Sequence, residues 1–258
     1  MPVDYSMVTE IAGDEITTEQ LERMCHRYYW AGVYCVGKDV IEVACGTGPG
    51  LGYLAGIAKS LRAGDYTQTI LNTAKRYYND RIDLRQFDAQ AIPYEDQSAD
   101  IILIFEAIYY LPEPKAFVQE CLRVLRPGGA VLVAIANKDL YDFNPSPHSH
   151  YYFGTVEFNE LFSAYGFSVE CFGYLSVHEV SIRQRILRPM KRLASALNLI
   201  PKTTGGKKWL KRLVFGSMVQ MPAEIVAGQI AYRPPQSVSL TVPDLEHKVV
   251  YCAASLRP

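Results

Sequence analysis

The sequence predicts an α/β domain built on an open, mostly parallel sheet with helices on both faces. Three observations predict it. The stretch Glu42-Val43-Ala44-Cys45-Gly46-Thr47-Gly48-Pro49-Gly50 follows the apolar pair Val40-Ile41 and opens into a helix-like segment, Leu51 to Leu61. Strand, glycine-rich turn and helix in that order let backbone approach a bound nucleotide closely, since glycine has no Cβ to hold it away. Ile101-Ile102-Leu103-Ile104-Phe105 is a continuous apolar run, the pattern of a strand buried on both faces, and Ala130 to Ala136 reads the same way. Finally, 258 residues with 49% apolar content suffice for a single large core.

The elements follow in order. Thr17-Thr18-Glu19-Gln20 has the spacing of a capping box, opening a helix to about Trp30. The first strand is Val40-Ile41; the second ends near Asp65, although Ser60-Leu61-Arg62 is poor in β-branched residues. Asp65 lies 19 residues beyond Gly46, where a carboxylate can accept both hydroxyls of a ribose; a turn aspartate in Ala63-Gly64-Asp65 is the alternative. Ile82 to Phe87 alternates as a half-buried third strand does. Glu106-Ala107-Ile108-Tyr109-Tyr110-Leu111 stands at the carboxyl end of the fourth strand, where ligands bind in open α/β sheets. Leu125-Arg126-Pro127-Gly128-Gly129 turns into the fifth strand. A loop rich in Pro, Ser and aromatics spans 137–152, and Thr155 then caps a helix from Val156 to Tyr165, with Gly166 beyond its end. Phe167 to Tyr174 and Lys248 to Ala254 complete seven strands.

The glycine cluster taken alone is also consistent with a tight turn. The dinucleotide fingerprint needs glycines at relative positions one, three and six, but from Gly46 the sixth position is Leu51 and from Gly48 it is Tyr53. Acidic-x-small-x-Gly-x-Gly-x-Gly fits instead, and it resembles the first motif of class I S-adenosylmethionine-dependent methyltransferases. Asp88-Ala89-Gln90-Ala91-Ile92-Pro93-Tyr94 resembles that family's Asp-Ala-x-x-Leu-Pro-Phe segment, and Arg126-Pro127-Gly128-Gly129 before a buried strand is a further hallmark. With Asp65, four motifs stand in family order between residues 38 and 136.

The resemblance implies a Rossmann-like sheet with a reversed last strand and S-adenosyl-L-methionine as cofactor, leaving as S-adenosyl-L-homocysteine. It further implies that Glu42, Ala44, Gly46 and Gly48 form the cofactor turn, although the family often has glycine where this chain has Ala44. By the same likeness Asp65 holds the ribose, Tyr66 packs on the adenine, and the Asp88 side chain with the Ala89 amide reads its edge. His26-Arg27-Tyr28-Tyr29-Trp30 resembles the family's Arg-Tyr-aromatic stretch over the methionine part of the cofactor, which brings in Tyr28; ordinary helix packing is the alternative. Glu106 is placed to bind that same end, to orient a base, or to cap the next helix.

Methyl transfer from a sulfonium needs a nucleophile aligned about 3 Å from the methyl carbon, and a base helps when that nucleophile is a hydroxyl. His148 and His150 are the candidate bases, because imidazole titrates near neutral pH and their loop should face the pocket. Tyr109 is a further catalytic candidate, and Tyr110, Tyr141 and Tyr152 are candidates for acceptor binding. Surface exposure for the histidines and simple packing for the tyrosines are the competing readings. The expected acceptor is a small molecule methylated on O or N: a nucleotide- or lipid-linked sugar first, a prenylated or phenolic lipid second.

Net charge is −1, with 26 Lys and Arg against 27 Asp and Glu, yet the distribution is uneven. Residues 180–223 carry ten basic side chains and no acidic one, from Arg183, Arg185, Arg188, Lys191 and Arg192 to Lys202, Lys207, Lys208, Lys211 and Arg212. Ile182, Ile186, Met190, Leu193, Leu197 and Ile200 recur at helical intervals, and Pro189 should kink that helix. The segment 183–212 suits anionic lipid head groups or a phosphate-bearing substrate; a solvated face covering the acceptor cleft is the plainer reading. Nucleic acid is disfavoured, since no recognisable binding motif is present and the whole chain is not basic.

The six cysteines form no C-x-x-C pair, pointing to buried, reduced thiols and no metal site. No cationic-then-apolar signal opens the chain and no apolar run approaches the roughly 18 residues of a span. A cytoplasmic protein, peripheral at a membrane if the basic segment binds one, is therefore expected, and a homodimer is compatible with the sequence. The expected organisation is one domain: an N-terminal helical cap (1–37), cofactor core (38–136), acceptor loop, helix and sixth strand (137–179), basic helical insertion (180–246) and last strand (247–258). Two rivals stay open. An NAD-dependent oxidoreductase is disfavoured by the missing third glycine; a catalytically inactive scaffold acting through its basic segment is the other.

Overall fold

The computed structural model of the protein describes residues 5, 9, 11–178 and 218–257. The chain runs β1 (Glu15–Thr17), α1 (Thr18–Cys35), β2 (Asp39–Val43), α2 (Leu51–Ala55), β3 (Ser60–Asp65), α3 (Gln68–Tyr78), β4 (Asp83–Gln86) and β5 (Ala99–Phe105). It continues through α4 (Pro114–Val124), β6 (Leu125–Ala136), α5 (Thr155–Ser163), β7 (Ser168–Ser176), β8 (Met218–Gln220), β9 (Gln236–Val238) and β10 (His247–Ser255). Eight strands form one sheet in the order β4-β3-β2-β5-β6-β10-β7-β9.

Strands β4, β3, β2, β5 and β6 pair in parallel, as strands joined by helical crossovers must. Both faces of this half are covered, so every residue of β2 is buried and β5 reads as a continuous apolar run. The last strand, β10, lies antiparallel between β6 and β7. The seven expected strands are all present. Three more are added: β1 and β8, which pair with each other apart from the main sheet, and β9, three residues at the sheet edge beside Cys171–Gly173, too short and polar to announce itself by alternation.

The capping box that opens α1 is formed: the Thr17 side chain accepts from the Gln20 N–H, and the Gln20 side chain accepts from the Thr17 N–H. The helix runs past Trp30 to Cys35 and buries Met24, Tyr28, Trp30 and Ala31 on Leu103, Phe105, Leu132 and Tyr251 of the sheet. It also makes polar contacts. Glu19 meets Lys248, Glu22 accepts from the Tyr174 hydroxyl, and buried His26 joins the Tyr251 hydroxyl at 2.8 Å and the Arg233 carbonyl at 2.7 Å.

Further boundaries differ from those expected. Helix α2 ends at Ala55 rather than Leu61, because Gly56 donates back to Gly52 and Ser60 already pairs with Asp39 as the start of β3. Helix α5 starts at Thr155 with Gly154 as its N-cap, so Thr155 is its first residue and its buried hydroxyl donates to the Val242 carbonyl. Arg126–Gly129 falls inside β6 as a bulge: Ala99 faces Leu125 while Ile101 faces Ala130, and Gly128 takes φ of 76°. The predicted amphipathic helices of 180–217 and the ten basic residues lie outside the described residues, whereas residues 218–246 hold β8, β9 and connecting coil rather than helix. All six cysteines are buried and unpaired. Among the described residues no helix is long and apolar enough to cross a membrane.

Candidate functional site

The carboxyl ends of β2, β3, β4 and β5 converge on one cavity of about 620 Å³. Its first wall is the turn after β2. Gly46 and Gly48 take φ of 61° and 78°, the left-handed region that glycine enters without strain. Ala44 occupies the same region at 52°, which explains why glycine suits this position better. Gly50 is required by a close approach instead: a Cβ there would stand 2.1 Å from the Tyr28 ring. Gly48 does not line the cavity. It packs behind the turn on Leu51 and Tyr78, whose hydroxyl donates to its carbonyl at 2.7 Å.

Two buried carboxylates flank this turn. Asp65, at the end of β3, accepts from the Gly46 N–H at 2.9 Å and the Thr67 N–H at 2.8 Å. Burial raises its carboxyl above the ordinary range, and those amides work against that shift. Glu42 is 1% exposed, and Tyr28 donates to its Oε1 at 2.6 Å. Its Oε2 is buried without a hydrogen-bond partner. Desolvation pushes the Glu42 carboxyl up to about 7, against the pull of the Tyr28 bond and nearby Arg27. An unsatisfied buried acceptor in a cavity wall is a position that a ligand's cationic N–H would complete.

Tyr66 stands 42% exposed at the lip, and Asp88 and Ala89 line the next wall. The Asp88 carboxylate is engaged by Gln90, whose backbone N–H reaches it at 2.8 Å. At the far end, Glu106 is held in the left-handed region with φ of 50°. It accepts from the Tyr109 hydroxyl at 3.2 Å and faces Arg27 at 3.7 Å and Arg23 at 3.9 Å. Burial, then the Glu106 charge, pushes the Tyr109 phenol far above its ordinary range.

The 137–154 loop is docked on this end. His150 donates its N–H to the Tyr109 carbonyl at 2.8 Å, Tyr110 and Ser146 share a 2.5 Å hydrogen bond, and Tyr152 stacks on Tyr109. His150 and Tyr110 line the cavity; Tyr152 stands behind Tyr109, and His148 lies beside the mouth. Tyr141 is 57% exposed and lies outside the lining. Of the predicted residues, Tyr28, Glu42, Ala44, Gly46, Asp65, Tyr66, Asp88, Ala89, Glu106, Tyr109, Tyr110 and His150 are thus brought to one space. Gln20 and Arg23 were missed, although they share a helical face with Arg27. Tyr5, Thr9 and Met221 also line the space and carry no sequence signal. Among the described residues no group of three or more His, Cys, Asp or Glu can hold a metal ion.

Comparison with known proteins agrees with this geometry. The family described as "Methyltransferase domain" matches residues 41–133. A Mycolicibacterium smegmatis protein named "Probable S-adenosylmethionine-dependent methyltransferase" is 34% identical over 154 residues, 58% of this chain and 56% of that protein. The Mycobacterium tuberculosis phthiotriol/phenolphthiotriol dimycocerosates methyltransferase is 39% identical over 99 residues, 36% of each chain. The chain thus spans little more than half of the first relative and about a third of the second. The YcgJ protein of Bacillus subtilis superposes with a TM-score of 0.58 at 16% identity, covering 91% of this chain and 99% of that one, which shows a shared fold. Motifs, strand order and family match converge: over residues 41–133 the chain carries a class I, S-adenosylmethionine-dependent methyltransferase domain.

Proposed function

We propose that the protein transfers a methyl group from S-adenosyl-L-methionine to O or N of a small-molecule acceptor, with a nucleotide- or lipid-linked sugar as the first acceptor class. One observation carries this reading: Glu42, with an unsatisfied buried oxygen, and Asp65, held by two backbone amides, flank a glycine turn in a cavity that also reaches His150. The residues fit the cofactor. Asp65 keeps lone pairs for a ribose diol, Tyr66 offers a face to the adenine and the Ala89 amide can read its edge, while Glu42 awaits an ammonium group. Arg23, Arg27 and Glu106 close off the opposite end of the cavity.

When bound, the cofactor supplies a methyl carbon already activated by a sulfonium and a neutral leaving group. The chain's task is alignment, exclusion of water and removal of one proton from an acceptor hydroxyl. His150 is assigned that proton, since it alone of the two loop histidines lines the cavity. A second reading, a lipid acceptor, is favoured by the activity named for the M. tuberculosis relative and by the basic run from Arg183 to Arg212, which suits anionic head groups or a phosphate-bearing substrate.

The test is transfer of label from methyl-labelled S-adenosylmethionine to sugar and phenolic-lipid acceptors. His150→Ala should lower turnover by about 10²-fold or more while the dissociation constant for S-adenosylhomocysteine stays within about twofold. Normal turnover in that variant would remove imidazole from the reaction.

A further inference from the structure

Tyr5 reaches the cavity from outside every sequence motif. It lines the same space as Asp65, Asp88 and Tyr109. Its ring centroid stands 4.9 Å from Tyr110, 6.4 Å from Tyr66 and 6.5 Å from His148, the last two edge-on. Tyr66 belongs to the nucleotide end of the cavity, whereas Tyr110 and His148 belong to the acceptor end. Among the described residues, the chain of ring contacts from Tyr66 to the cluster of Tyr110, Tyr109 and Tyr152 runs through Tyr5.

The contacts that hold it there come from two distant parts of the chain. The Thr9 hydroxyl donates to the Tyr5 carbonyl at 3.0 Å, and the Thr9 methyl lies 3.3 Å from where a Cβ on Gly46 would stand. Gly13 donates to the Met221 carbonyl and Met221 donates to the Asp14 carbonyl, both at 2.9 Å. Beyond them β1 pairs with β8, Glu15 opposite Gln220 and Thr17 opposite Met218. This ladder sets residues 13–17 beside Met221, itself part of the cavity wall. Burial, followed by the neighbouring Tyr66 and Tyr110 phenols, raises the Tyr5 phenol above its ordinary value, in keeping with a seat inside the cavity.

The geometry points to Tyr5 as a positioning residue: its ring roofs the cavity where the nucleotide end meets the acceptor end, and so controls escape of the bound nucleoside. This rests on the functional reading above. Methyl transfer has to exclude water from that junction, because water is itself a competing nucleophile, and a cover that excludes water also slows release of the product. A ring can do this by packing alone, so the phenol oxygen is dispensable.

The experiment is stopped-flow displacement of S-adenosylhomocysteine from wild type, Tyr5→Ala, Tyr5→Leu and Tyr5→Phe, with melting of each protein in the absence of ligand. Tyr5→Ala should raise the dissociation rate about tenfold, the factor that corresponds to losing one aromatic contact. Tyr5→Phe should stay within about twofold of wild type and Tyr5→Leu should fall between, with association rates and ligand-free melting unchanged. A Tyr5→Ala rate equal to wild type overturns the assignment, and so does a Tyr5→Phe rate as fast as that of Tyr5→Ala. Should alanine prevent folding, the contrast between leucine and phenylalanine decides the matter in the same way. Failure of wild type to bind the nucleoside at all would instead sink the functional reading and the cover with it.

Discussion

Glu42 is the side chain on which the site's response to pH turns. Its folded pKa is raised to about 7 by burial, so the free protein holds a proton there that the unfolded chain releases at lower pH. The stability this proton confers is fully present below the unfolded pKa and is lost as pH rises through about 7. An ammonium group placed at Oε2 favours the carboxylate, so ligand binding expels the proton. The affinity for S-adenosylhomocysteine should therefore rise between pH 6 and 7, by up to about tenfold per unit, and level off above. Glu42→Gln should flatten that dependence; an unaltered profile in the variant would show that Glu42 is not the group responsible. Ala44 gives a second prediction at this scale. Ala44→Gly should raise stability by about 1 kcal/mol, because it removes a left-handed alanine, and the melting temperature reports it.

Residues differ in how legible they were for physical reasons. Gly46 and Gly48 could be read because few other residues tolerate their backbone, and Asp65 because it stands 19 residues beyond Gly46, at the end of the second strand of the cofactor core. Tyr5 and Met221 could not be read. Their place depends on contacts with residues far away in the chain, which no local period encodes.

At the level of elements, α1 carries much of the site, since Gln20, Arg23, Arg27 and Tyr28 all face the cavity from it. Its N-terminus depends on the Thr17 cap, so Thr17→Ala should cost about 1 kcal/mol and lower the melting temperature by roughly 2–4 °C. The same helix is tied to the sheet by His26. Its Nε2 faces the Arg233 carbonyl and so carries the proton, while Nδ1 accepts from the Tyr251 hydroxyl. Burial lowers the His26 pKa to about 4, so the unfolded chain binds a proton that the folded one refuses. Stability should fall by up to about 3 kcal/mol as pH drops from 6.5 to 4, and His26→Phe should remove most of that slope in acid denaturation. The strands were legible because burial on both faces leaves apolar runs, as in β5 and the later part of β6. Helix α2 was overrun because the apolar residues Ile57, Ala58 and Leu61 continue beyond its Gly56 cap, whereas Ser60 already pairs with Asp39. Edge strand β9 was missed because Gln236-Ser237-Val238 buries too little to pattern.

On the scale of the molecule, the parallel half of the sheet brings the ends of four strands to one place, and Tyr5, Thr9 and Met221, from either side of the β1–β8 ladder, line the same cavity. This arrangement, rather than any single motif, builds the cavity. The identity of the acceptor was not legible, because the composition of the 137–152 loop and of the basic run 183–212 admits both sugars and lipids.

In the proposed function the turn between β2 and α2 holds S-adenosylmethionine through the two carboxylates beside it. Isothermal titration of the protein with S-adenosylhomocysteine, beside Asp65→Ala, tests this most directly. Saturable one-to-one binding by wild type is expected, weakened by about 1–3 kcal/mol when the buried acceptor of the ribose hydroxyls is removed. No heat from a folded wild-type sample, or equal affinities in the two proteins, would contradict it.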